Sequence, residues 1–229
     1  MINIFQRYHI INNFPKKYPF HKKILSNIIF FFTGIIIHPR KNELTHKDLI
    51  KARLSLKRGD IILTGNLRTL LHSLIQEPVT HSSLYVGNLR FIHSMAEGVQ
   101  YISLYKLFTD YDTLVILRLP KTVKKKKKII RKTLKFAKTQ FGKPYDFDFK
   151  QSPHSFFCTQ LVNEAFKHAG YNTGLLSIKM SKKIPKKLKK HINGVVDALS
   201  PVDFLNGKFE VVYLSHNLEY KNKKLNYLK

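Results

Sequence analysis

THSSLYVGNLRFIHSMAEGVQYISL, residues 80–104, holds three short β-like stretches, 83–86, 90–94 and 99–102, broken at Gly87-Asn88 and Glu97-Gly98. Short β-branched and aromatic runs punctuated in this way predict an antiparallel meander. The run Ile61-Ile62-Leu63-Thr64 precedes it, entered through the turn Arg58-Gly59-Asp60, in which Asp60 shapes the first strand's entry. A further stretch, 113–119, follows and stops at Pro120. Thr45 with Asp48 three residues on makes a capping box, which opens a helix running to about residue 57.

Downstream the hydrophobic period changes from two to about three and a half. Ile130, Leu134, Ala137 and Phe141 form one apolar stripe on a lysine-rich helix that Gly142-Lys143-Pro144 ends. A second helix is expected over 156–168, with Leu161, Val162, Ala165 and Phe166 on one face and Gly170 as its stop. A basic segment, 179–190, leads to Ser200-Pro201 and a last strand around 209–214. The layout reads as a basic and apolar N-terminal segment over 1–44, a main domain over 45–216 and a mobile basic tail over 217–229. Within the first of these, the apolar run 24–37 is too short for a bilayer crossing, which needs about 20 residues. It is read as a helix packed on the domain, as a membrane-associated segment flanked by lysines, or as a signal-like segment.

With 229 residues and 43% hydrophobic content, the chain can build a real core, and global disorder is excluded. The 41 Lys and Arg against 14 Asp and Glu leave a net charge of +27. That balance favours anionic partners such as a membrane surface without choosing among them, and a lysine-rich coding bias produces it equally well. No RNP-like strands, zinc-ligand spacing or glycine-rich phosphate loop accompanies the charge, so no specific nucleic-acid partner is expected. The lysines of 124–132 are read as a solvated helix face or as a docking surface.

One cysteine, Cys158, stands at the start of the second helix. A helix N-terminus lowers a thiol pKa and offers backbone N–H groups to a developing oxyanion, although a lone cysteine is also a common packing residue. His81 heads the strand HSSLYVG, where a neutral imidazole could take the thiol proton and return it to a leaving group. His93 lies twelve residues on, in the neighbouring strand, where it could orient His81. Singly, each of these residues also has an ordinary structural reading.

Together, KRGDIILT, THSSLYVG and NLRFIHSMAEGVQYISL resemble the β half of NlpC/P60 cysteine peptidases. In ordinary members the nucleophile helix precedes these strands. Here GKPYDFDF and FFCTQLVNEAF follow them, an order similar to the circularly permuted YiiX/YebB-like and poxvirus-protein-like branch. ALSPVDFL and FEVVYL resemble that branch's closing segment, and the likeness spans 56–214.

The resemblance implies an α+β fold of permuted papain-like type, with an antiparallel, partly barrel-like sheet packed against the nucleophile helix. It implies a cysteine hydrolase, amidase or peptidase in kind, with Cys158 as nucleophile, His81 as base and His93 as third member. Many permuted members carry Glu where His93 stands, and Glu97 is a fallback carboxylate. Tyr145 matches an aromatic beside the nucleophile and would support the substrate carbonyl. No metal or organic cofactor is required. The substrate class stays open between a peptide amide and a lipid ester, the latter through acyltransferase or thioesterase chemistry. A catalytically silent protein binding anionic membrane or nucleic acid is the alternative of another class.

Overall fold

A computed structural model describes residues 9–38, 41–149, 152–175 and 200–228. The basic segment 179–190 lies outside the described residues. The apolar run Ile61–Gly65 forms β1, buried along its whole length because neighbours cover both of its faces. The meander follows as β2 (His81–Gly87), β3 (Arg90–Met95) and β4 (Gly98–Ser103). Asn88 and Leu89, both at positive φ, make the two-residue turn between β2 and β3. β5 (Thr113–Arg118) returns to the other side of β1, and β6 (Glu210–Leu214) pairs outside it. The result is a six-stranded antiparallel sheet ordered β4-β3-β2-β1-β5-β6.

Alternation along these strands sends side chains to two cores. Ile61, Leu63, Leu84 and Ile92 face α5 (Lys126–Thr139) and α6 (Cys158–His168), which pack there through Leu134, Ala137, Leu161 and Phe166. Ile62, Tyr85, Phe91 and Ile116 face the other way, against α2 (His46–Ser55) and α4 (Leu104–Asp110). The Thr45–Asp48 capping box is present at the start of α2. Asp60 takes a two-pronged hydrogen bond from Arg118, at 2.8 and 2.7 Å, while Lys57 N–H donates to it at 2.6 Å. That fixes the entry to β1, the structural part read for Asp60.

Two short helices, α3 (Leu70–Ile75) and α4, were not expected, and α1 (Phe20–Gly34) occupies most of the N-terminal apolar run. The expectation of a mobile tail is corrected. Leu218–Lys221 and Lys224–Tyr227 pair as a hairpin, β7–β8, whose Leu218 and Leu225 are buried in the core on the α5/α6 side. Apolar burial of alternate residues on one face of this lysine-rich stretch holds it down.

Candidate active site

The site is built at one end of the sheet. Ser94, near the end of β3, donates its hydroxyl to the Phe156 carbonyl at 2.5 Å. That bond fixes the approach to α6, which packs across β2 and β3. Cys158 is the first residue of α6 and His81 the first of β2, so both belong to this same end. Cys158 is buried, with 8% of its surface exposed, and its sulfur lies 3.6 Å from Thr159 Oγ1. Phe157 occupies the N-cap and supplies no side-chain cap to the first turn. An apolar N-cap is unfavourable for a helix whose opening N–H groups need acceptors, and it leaves that end suited to an incoming anion.

His81 and His93 are both buried, and His81 Nε2 lies 2.9 Å from His93 Nδ1. The register places His93 opposite Ser83, two residues beyond His81, so the imidazoles meet diagonally across the β2–β3 pair. The His81 ring also stacks on Tyr111, with centroids 5.8 Å apart and planes within 6°. Alternation turns His93 away from the side that Ile92 and Ser94 give to α6. The imidazole pair therefore points to the α2/α4 face of the sheet, while α6, which begins with Cys158, lies on the other. The buried hydroxyls of Thr64 and Ser83, which stand opposite His81 and His93 in the ladder, have no hydrogen-bond partner among the described residues.

The loop bearing Tyr145 is held against the β3–β4 turn. Val99 N–H donates to the Lys143 carbonyl at 2.8 Å, and Gly142 N–H to the Val99 carbonyl at 2.9 Å. Gly98 permits this approach: its φ is +96°, and an added Cβ would lie 2.2 Å from the Lys143 oxygen. Burial, then the neighbouring Cys158 and Asp146, raise the Tyr145 hydroxyl well above its ordinary pKa, so it stays a neutral donor. Phe147, Phe149 and Phe157 line its surroundings, with Tyr145–Phe147 and Phe149–Phe157 centroids 4.9 and 5.3 Å apart.

Glu97 does not join the histidines. Its place in the turn directs the carboxylate to His9 Nε2 and to Gln100 Nε2, the latter at 3.2 Å. The fallback role is therefore withdrawn. Sequence reading missed Tyr111, for which an aromatic closing α4 gives only a weak signal, and Ser94, whose place directly after His93 was visible. Among the described residues, no group of three or more His, Cys, Asp or Glu side chains is arranged to hold a metal ion. A cavity of about 510 Å³ lies elsewhere, between Gln76, Leu205 and the β7–β8 hairpin, and none of the predicted site residues lines it.

A family model described as "Permuted papain-like amidase enzyme, YaeF/YiiX, C92 family" matches residues 55–206. The chain is similar in fold to a solved structure described as the metalloprotein yiiX from Escherichia coli O157:H7. The TM-score is 0.55 at 21% identity, over 69% of this chain and 97% of that one. No curated protein matches it in sequence.

Proposed function

The chain belongs to the YaeF/YiiX family of permuted papain-like amidases, and from that premise we propose that it cleaves an amide or ester through a thioester on Cys158. His81 Nδ1 removes the thiol proton, its Nε2 being turned to His93 at 2.9 Å. The sulfur attacks the carbonyl carbon, and the C=O electron pair moves onto oxygen. Backbone N–H groups of the α6 N-terminus and the neutral Tyr145 hydroxyl stabilise that oxyanion. Collapse re-forms the carbonyl and expels the amine or alcohol, which takes the proton from His81. Water, deprotonated by His81, then attacks the thioester and releases the acid and the thiol. His93 holds the ring and tautomer of His81 without adding a negative charge.

The observation that carries this reading is the hydrogen-bonded histidine pair at the end of the sheet where α6 begins with Cys158. Labelling with an electrophilic thiol probe at neutral pH tests it. Cys158 is expected to react faster than a free thiol, and His81→Ala to remove that advantage. Reaction at the rate of a free thiol, unchanged by His81→Ala, would sink the proposal.

A lipid ester is the second reading of the substrate, favoured by the apolar residues that α1 exposes near the Tyr145 loop. Acyl exchange between lipids against release of amide-linked peptides, measured on the same purified protein, separates the two.

A further inference from the structure

Helix α1 leaves Phe20, Ile24, Ile28 and Phe32 exposed, at 76, 47, 48 and 52% of their surface. Steps of four residues put all four on one continuous stripe running the length of the helix. The opposite side is pinned down. Ser26 is buried there, and Asn27 both accepts from Ile11 N–H at 2.7 Å and donates to the Ile11 carbonyl at 3.3 Å. Lys22 holds Asp148 at 2.9 Å, and the Phe14 ring lies 5.4 Å from that of Phe147. The stripe therefore faces outward from a helix fixed to the body of the protein, beside the loop that carries Tyr145.

Charge indicates what covers it. No acid occurs between residues 9 and 42, and exposed Lys16 and Lys17 stand just before the helix on a chain of net charge +27. Two copies of so basic a chain repel one another, which disfavours pairing of the stripe with itself. Nor does the helix cross a bilayer: fifteen residues rise only about 22 Å, against roughly 30 Å of hydrocarbon. No helix among the described residues is long and apolar enough to do so.

We propose that α1 docks flat on an anionic bilayer surface, its four apolar side chains entering the acyl boundary and Lys16 and Lys17, just before the helix, meeting the headgroups. This docking is independent of whether Cys158 is a nucleophile. The Lys22–Asp148 pair, on the inner side of the helix, keeps the Tyr145 loop attached to the docked element.

Co-sedimentation of the full chain with phosphatidylcholine vesicles, with and without roughly one-third phosphatidylglycerol, tests it without any substrate. The expected result is binding to the anionic vesicles only, with the bound fraction lowered about tenfold by Ile24→Asp with Ile28→Asp. Lys16→Glu with Lys17→Glu is expected to weaken binding severalfold. The altered positions are exposed, and an unchanged circular dichroism spectrum and melting temperature verify that the variants fold. Absence of binding to anionic vesicles, or binding that the double aspartate variant retains in full, would overturn the proposal.

Discussion

At the scale of single residues, the proposed chemistry rests on groups whose removal separates activity from folding. Cys158→Ala is expected to abolish turnover while shifting stability by no more than about 1 kcal/mol, because a small side chain replaces a small one. Hydrolysis assays beside a denaturant melt check both halves. Tyr145→Phe keeps the ring and deletes the donor; a loss of about tenfold to a hundredfold in kcat with little change in KM would fit a group acting on the oxyanion. An unchanged kcat would leave Tyr145 as a packing residue. Cys158 and His81 were visible in the sequence as the heads of a helix and a strand, and their common place at one end of the sheet follows from the meander and from α6 lying across it. Glu97 was misjudged for a physical reason. A carboxylate four residues along from His93 is near in sequence, but the turn at Met95–Gly98 reverses the chain between them and gives it to His9.

At the scale of elements, the glycine at the β3–β4 turn decides where the Tyr145 loop lies. Gly98→Ala combines a left-handed backbone with a methyl group aimed at the Lys143 carbonyl. A loss of about 2 kcal/mol or more in stability is expected, together with lowered activity from a displaced loop, read by thermal melts and kcat. Leu161→Ala, on the buried face of α6, is expected to cost about 2–5 kcal/mol in a denaturant titration. The strands of the meander, the capping box of α2 and the helices α5 and α6 were all legible, because each repeats its period over enough residues. α4 was not: Leu104, Leu107 and Phe108 mark a buried helical face, but seven residues span barely two turns. The β7–β8 hairpin was hidden by its lysines. Its one turn signal is Asn222, which with Lys223 adopts positive φ at the two-residue corner.

For the molecule as a whole, one buried carboxylate links stability to pH. Burial alone would raise the pKa of Asp48, but hydrogen bonds from Thr45, Tyr213 and His216 outweigh it and hold the group well below the ordinary carboxylate range. Its contribution is present in full above about pH 4, the unfolded value, and is lost as pH falls below that. Melting temperature measured from pH 6 to 3 should drop with acid, and Asp48→Asn should flatten that drop while lowering stability at neutral pH. The same carboxylate reaches from α2 to Tyr213 and His216, at 2.7 Å in each case, and Glu43 likewise takes bonds from Asn217 at 2.9 Å and Tyr227 at 2.5 Å. Early segments of the chain are thus clasped by very late ones, and β5 acquires its outer neighbour only when β6 is present. During synthesis from the N-terminus, the strands that carry His81 and His93 emerge with that clasp still missing. A nascent chain stalled before residue 210 would offer an open strand edge to chaperones.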